Sequence, residues 1–250
     1  MTGTLTRIDR HPIKSHGRET LSEVSVTAGQ TLPWDRHWAV LHEAANAEGT
    51  EWAPCNNFSR GSKAPGLMAI NAHLSEADRQ VTLTHPDRPD LTFCPDRASD
   101  LSAFLNWVQP LMPADRAASQ RIVSAGTRGM TDTDYASISL LNLSSIRALS
   151  DRLGQPLDPQ RFRGNFWVEG LAPWEEFGWI GETIEIGNVH FRVEERIERC
   201  LATTANPETG RRDADTLGAL QAGWGHRDMG VYLTALDDGN VATGMEVKCP

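Results

Sequence analysis

At 250 residues, with 39% hydrophobic and 23% charged side chains, the chain has the composition of a folded, water-soluble protein, long enough to bury a core as one large domain or two small ones. Its formal net charge of −9 opposes a phosphate backbone and argues against nucleic acid as a partner. From Met1 to His16 the charges of Arg7, Asp9, Arg10 and Lys14 leave no apolar core for a signal peptide, and no run approaches the ~18 apolar residues of a membrane span. A cytoplasmic protein without a membrane partner is expected.

In chain order, strand signals come first, over Thr20 to Thr27 and Arg36 to Leu41. A hairpin is then expected between Ala69-Ile70-Asn71-Ala72 and Val81-Thr82-Leu83-Thr84, joined by the polar stretch from Glu76 to Gln80. Asp100 is placed to cap a helix carrying Leu101, Phe104, Leu105 and Val108 on one stripe. The polar, proline-containing stretch from Pro110 to Arg128 reads as a domain boundary or a long loop. A second helix is expected from near Ser144, burying Ile146, Leu149 and Leu153 and stopping at Gly154.

Phe166 to Val168 reads as a strand, and the segment from Thr183 to Val193 gives the clearest pattern in the chain. There Ile184 and Ile186 alternate with polar residues, Gly187-Asn188 supplies a turn, and Val189, Phe191 and Val193 resume the alternation, which specifies a hairpin with one buried face. A short third helix is expected over Asp213 to Gln221, then strands at Val231 to Leu233 and Met245 to Val247. Many short strands with few helices imply a mainly β, α+β protein built on a barrel or sandwich. Gly223-Trp224-Gly225-His226 lacks the spacing of a nucleotide loop and reads as a turn near a pocket rim.

The cysteines, Cys55, Cys94, Cys200 and Cys249, form no C-x-x-C pair, and the eight histidines form no H-E-x-x-H pair, so neither an iron–sulfur cluster nor an independent zinc site is expected. The most unusual local sequence runs from Arg199-Cys200 through Thr203-Thr204 to Asn206-Pro207-Glu208-Thr209-Gly210. It places Cys200 just after the hairpin, with hydroxyls nearby and Arg196 or Arg199 available to favour the thiolate, the form that binds metals and attacks electrophiles. Local spacing alone favours the commoner reading, a small buried hydrophobe, as most free cysteines are.

This segment resembles the molybdenum-ligating stretch of the MOSC-domain family, particularly its branch of mitochondrial amidoxime-reducing components, in which Arg-Cys is followed by two threonines and an Asn/Asp-Pro-acid-Thr-Gly turn. His11-Pro12-Ile13-Lys14-Ser15 and Asp35-Arg36-His37-Trp38 resemble two further family elements, as do Asp134 to Leu141 and Arg161-Phe162-Arg163-Gly164-Asn165. Trp174 to Gly181 and Gly230 to Val247 are similar to its closing elements, so the likeness spans nearly the whole chain. The sequence departs from the pattern at His11 for Tyr, Gly164 for Pro and Met245-Glu246 for Gly-Asp.

The resemblance implies a MOSC-type β-barrel core over 119–250 and an N-terminal β-barrel-like region over 1–118. It further implies that the Cys200 thiolate ligates molybdenum and is the catalytic group. Lys14, Ser15, Arg36, Ser137, Arg163, Asn165 and Thr203 would hold the molybdenum cofactor, a molybdopterin. Read without the resemblance, Lys14 and Arg36 are solvated charges, Ser137 a strand residue and Arg163 a salt-bridge partner. The implied activity is two-electron removal of oxygen from an N-hydroxylated small molecule, with electrons from a separate donor protein. A non-catalytic cofactor carrier and a Cys200-persulfide sulfur-transfer protein are the alternatives.

Overall fold

A computed structural model describes residues 2–248 and 250; Cys249, one of the cysteines read above, lies outside them. The chain opens with β1 (Thr2–Arg10), β2 (Glu19–Leu21), β3 (Glu23–Val26) and β4 (Trp38–His42). It continues through β5 (Asn71–Ser75), β6 (Gln80–His85), β7 (Arg88–Phe93), α1 (Leu101–Val108) and β8 (Ser119–Ser124). Then follow β9 (Ile138–Asn142), α2 (Leu143–Leu153), β10 (Phe166–Glu169), β11 (Thr183–Ile186), β12 (Val189–Glu198), α3 (Thr216–Trp224), β13 (Asp228–Ala235), β14 (Gly239–Ala242) and β15 (Glu246–Lys248).

The β11–β12 hairpin forms in the register that the alternation requires. Ile186 pairs with Val189 across Gly187, which takes φ +63°, and Ile184 pairs with Phe191, so all four apolar side chains point one way and are buried. That face closes a barrel in the order β10-β9-β13-β12-β11-β15-β1, with β1 returning to pair with β10 and β2 added at the side. Closure removes the sheet edges. Leu5, Ile8, Phe166, Phe191, Val193, Val231 and Leu233 fill the interior, and the small β3–β14 sheet covers it with Val24, Val26 and Val241.

The barrel and the residues before 119 are interleaved. β1 and β2 belong to the barrel sheet, whereas β8, inside the stretch read as a boundary or loop, pairs with β4. The second core lies around the β5-β6-β7 sheet, where Trp38, Ile70, Leu83, Phe93, Phe104 and Trp107 pack together. A third cluster seats α2 and α3 on the outside of the barrel through Ile146, Leu149, Leu220 and Trp167. Among the described residues no helix is long and apolar enough to cross a membrane.

Several local expectations change in the folded chain. The strand expected over Thr20 to Thr27 divides at Ser22 into β2 and β3, which serve different sheets. Ala69 ends a 3-10 turn rather than starting the hairpin, whose first pair is Asn71 with Thr84. Asp100 makes no cap bond to α1, because its Oδ2 accepts from the Cys94 N–H instead. The second helix is capped by Asn142, which accepts from the Ser144 N–H, and it ends at Gly154 as read. The third helix starts later than expected, capped by Asp215, and Gly225 terminates it with φ +77°. Gly223-Trp224-Gly225 is therefore a helix end, and none of these residues lines the cavity formed around Lys14, Arg36 and Cys200.

Glu176, packed behind the barrel with 0% exposure, accepts a 3.1 Å bond from Asn142 Nδ2, while its Oε1 has no partner among the described residues. Burial pushes its carboxyl up to about 7, against the opposing pull of its own backbone N–H and Asn142. A folded-state value above the unfolded one means that the native state holds the proton more tightly. Stability from this group is present at acid pH and is lost as pH rises through about 7. Glu176→Gln is expected to gain ~2–3 kcal/mol relative to wild type between about pH 5 and pH 8. Urea unfolding at both pH values checks this, and parallel pH profiles for the two proteins would contradict it.

Candidate functional site

Where the barrel rim meets the N-terminal residues, the chain encloses a cavity of about 260 Å³. Its wall is assembled from segments far apart in sequence. Lys14 and Ser15 come from the turn after β1, Arg36 from the turn before β4, Asp132 from the loop before β9, Arg163 from the turn before β10, and Tyr232 from β13. Cys200 lies beyond the end of β12, is solvent-exposed and lines the cavity.

The local backbone explains how Cys200 is presented. Near the end of the β12–β13 pairing, Ile197 of β12 lies opposite two residues, Met229 and Gly230, and Gly230 adopts φ +81°. A Cβ there would lie 2.5 Å from the Leu140 carbonyl oxygen, so only glycine fits this bulge. Beyond it, Cys200 is extended and caps a 3-10 turn over Leu201–Thr204. Thr203 Oγ1 donates to the Cys200 carbonyl at 3.1 Å and shares a 2.6 Å bond with Thr216 Oγ1. Thr203 lines the cavity as expected, but its hydroxyl is engaged in holding the Cys200 turn against α3.

Ser15, Arg36 and Arg163 all line the cavity, and all three adopt left-handed backbone, with φ of +64°, +51° and +50°. Such geometry costs ~1–3 kcal/mol at a non-glycine residue, and it persists only where neighbours enforce it. For Arg36 the enforcement is visible: its N–H donates to the His11 carbonyl and its own carbonyl accepts from Met130 N–H, both at 2.7 Å. Asp35, buried beneath, accepts from the His11 N–H at 2.8 Å and from the Arg36 guanidinium.

The charges form one network. Burial would raise the Asp35 carboxyl, but Arg36 and the bonds from His11 hold it far below the usual carboxylate range. Burial, reinforced by Arg163, pushes His11 down to about 3, so its imidazole is neutral and Nδ1 can donate to Asp35 at 3.3 Å. His11, where the family pattern has Tyr, thus supports Arg36 from below. Lys14 Nζ donates to the Met130 carbonyl at 2.7 Å and to Asp132. The protein around Asp132 opposes its charge, but Lys14 and then Arg36 hold it down to about 2.

Arg163 donates to the Gly17 carbonyl at 3.1 Å, whereas its Nη1 has no partner among the described residues. Burial, then repulsion by Arg36 and Arg18, pushes Arg163 down to about 9, so it remains charged at neutral pH. Arg199 folds beneath the cavity, donating to the carbonyls of Met229 and Phe162. Lys14, Arg36, Arg60, Arg161, Arg163 and Arg199 therefore face the cavity against two carboxylates, Asp132 and Glu198, in a chain of net charge −9.

Of the residues expected at the site, Cys200, Lys14, Ser15, Arg36, Arg163 and Thr203 meet at this cavity, and Ser137 and Asn165 do not. Those two line a separate recess of about 10 Å³ beside Arg36. Ser137 accepts from Thr133 Oγ1 at 2.8 Å. Asn165 accepts from the Ser139 N–H and hydroxyl and donates to the Asp9 carbonyl, tying β9 to β1. Their polar atoms serve the framework. Gly164 has a packing reason, since a Cβ there would lie 2.5 Å from Leu141 Cδ1 and 3.1 Å from the Trp167 ring, both buried.

Sequence reading missed Asp132, Tyr232, Arg161 and the wall formed by Cys55, Arg60 and Met68. Tyr232 was within reach: Val231 and Leu233 enter the barrel, so strand alternation sends the residue between them to the other face. The opposing wall carries no local signal, because it arrives from a separate core.

A closed barrel whose rim presents an exposed thiol beside clustered guanidinium groups defines a class of protein equipped to hold an anionic ligand against sulfur. Comparison with known proteins narrows the class. The MOSC domain matches residues 127–248 and the MOSC N-terminal beta barrel domain matches residues 2–118. The chain belongs to the MOSC family.

Relatives include the molybdenum cofactor sulfurase of Drosophila willistoni, 32% identical over 126 residues, covering 49% of this chain and 15% of that protein. That of Anopheles gambiae is 32% identical over 123 residues, covering 44% of this chain and 16% of that protein. The chain thus spans only about a sixth of the length of these curated relatives. Among solved structures, the YuaD protein from Bacillus subtilis aligns over 99% of this chain and 94% of its own, at 12% identity and a TM-score of 0.47.

Proposed function

We propose that the cavity binds the molybdenum cofactor and that the protein is an oxidoreductase acting there on N-hydroxylated small molecules. The observation that carries this reading is the pairing of an exposed cysteine with a buried cationic wall in which one donor, Arg163 Nη1, has no partner among the described residues. The residues present suit the group: an anionic pterin phosphate calls for charge-assisted donors, and molybdenum calls for a soft sulfur ligand.

When bound, the cofactor would supply two-electron chemistry and an acceptor for oxygen. The chain would supply the rest. Lys14, Ser15, Arg36 and Arg163 would hold the phosphate and the pterin, with Arg36 fixed from below by Asp35. Cys200 would ligate the metal at the open side of the cavity. Tyr232, a cavity-lining phenol whose ionisation burial opposes and Asp132 opposes further, stays protonated at neutral pH and can donate a hydrogen bond to a ligand. Electrons would come from a separate donor protein.

Molybdenum and pterin content should be measured in protein isolated from cells that make the cofactor, followed by turnover of benzamidoxime with a reduced viologen dye as electron source. Near-stoichiometric metal with reduction of the substrate is expected. Folded protein without metal or pterin, despite available cofactor, would overturn the reading. A second reading, sulfur transfer through a persulfide on Cys200, draws support from the names of the relatives and from the exposure of that thiol. It predicts one added sulfur on Cys200 and activity independent of molybdenum.

A further inference from the structure

The cations at the cavity fall into two groups. Lys14, Arg36 and Arg163 are joined to one another, since Arg36 Nη2 donates to the Arg163 carbonyl at 3.1 Å and Lys14 shares Asp132 with Arg36 in the charge network. Arg60 and Arg161 belong instead to the Cys200 turn. Arg161 Nη1 reaches the Thr204 carbonyl at 3.4 Å and pairs with Asp213 at 2.7 Å. Arg60 precedes Gly61, which borders the same turn: a Cβ built on it would be in ordinary van der Waals contact with Ala202 Cβ, at 3.7 Å. Arg212 fastens the two walls there, donating to the carbonyls of Leu201 and Ser62.

Arg161 is paired with Asp213 yet keeps one donor without a partner among the described residues, and Arg60 is met by a thiol. Arg161 is 3% exposed, yet its Nε has no partner among the described residues. Arg60 is half-buried, and among the described residues its guanidinium bonds to Cys55 Sγ at 3.1 Å, a weak acceptor for a full positive charge. A buried N–H without an acceptor, in a cavity wall that also carries a cation whose partner is a thiol, is an arrangement that an acidic ligand would complete. Glu198 also lines the cavity; counted with Asp132, with Asp35 beneath Arg36 and with Asp213 on Arg161, four carboxylates still face six cations.

We propose that Arg60 and Arg161 form an anion subsite on the Cys200 side of the cavity, and that the small molecule accepted there carries an acidic group, a carboxylate in its simplest form. The identity of the reacting end rests on the reductase reading above; the acidic end rests on these two guanidinium groups. Cations focused in a cleft of an otherwise acidic protein would also draw such molecules in from solution.

The test compares benzamidoxime with para-carboxybenzamidoxime by isothermal titration into protein isolated from cofactor-making cells, as wild type and as Arg60→Gln, at low and high salt. Arg60 lies on a half-exposed loop, and a melting curve checks that the variant is folded. Wild type is expected to bind the carboxylated compound roughly tenfold or more tightly than the neutral one, as hydrogen bonds to charged groups allow. Most of that advantage should disappear in Arg60→Gln and shrink in high salt.

Equal affinities in wild type, or binding of neither compound, would overturn the subsite. So would a carboxylate preference that Arg60→Gln leaves intact, since it would place the acid on the Lys14 group. Replacing the carboxylate by a phosphonate tells whether a doubly charged acid is preferred. Turnover tests the other reading separately: failure to reduce either compound, with an Arg60-dependent preference retained, would remove the reductase activity and leave the subsite standing.

Discussion

Cys200→Ser protein, isolated from cells that make the cofactor, is expected to carry at least roughly tenfold less molybdenum than wild type and to lose turnover in proportion, because a hydroxyl replaces the soft thiolate ligand. Pterin content should fall less, since its phosphate would be held by Lys14, Arg36 and Arg163, which the substitution does not touch. The fold should be unaffected. Cys200 is exposed, and the Thr203 bonds that shape its turn run to the Cys200 carbonyl rather than to the sulfur. A change of at most about 0.5 kcal/mol in unfolding free energy is therefore expected. Metal analysis, benzamidoxime reduction and urea unfolding on the same preparations check the three statements. Full metal with full turnover in the serine protein would rule out Cys200 as the ligand.

The second large effect concerns a residue that never touches the cavity. Asp35→Asn is expected to destabilise the protein by ~3–5 kcal/mol, as removing one partner of a buried ion pair does. The carboxylate is 1% exposed and accepts from the Arg36 guanidinium and from the backbone and ring of His11. An amide can still accept from the His11 N–H, but it cannot neutralise Arg36. The strained backbone at Arg36 then loses part of what enforces it, so cofactor retention should fall together with stability.

The same group gives a pH dependence with a defined sign. Because the folded-state value of Asp35 is depressed, its stabilisation is present above the ordinary carboxylate range and is lost as pH falls through and below it. Acid unfolding of wild type should therefore be steeper than that of Asp35→Asn. Coincident acid limbs for the two proteins would show that Asp35 does not carry this charge pairing.

The extent to which the site could be read from sequence follows from how each residue is held. Cys200 and its two threonines form a continuous segment between a hairpin and an Asn-Pro turn, so their chemistry and spacing appear together. Ser137 and Asn165 were assigned to the cofactor because they lie in matching segments. The direction of a buried polar side chain, however, depends on which neighbour offers a donor, and here Thr133, Ser139 and Asp9 took those bonds. Asp100 illustrates the same competition, since Cys94 rather than α1 obtained its carboxylate.

By itself the sequence determined the short-range features of this protein. The β11–β12 hairpin follows from period-two alternation around Gly187-Asn188, the second helix from its apolar stripe and Gly154, and the thiol-bearing turn from its motif, all within a few residues of chain. Tertiary structure decided what these features enclose. β1 entered the barrel and paired with β10, β8 crossed back to β4, and a separate core set Arg60 and Met68 opposite Cys200. Such pairings depend on burying apolar faces contributed by distant segments, and no local pattern records which distant face will be available.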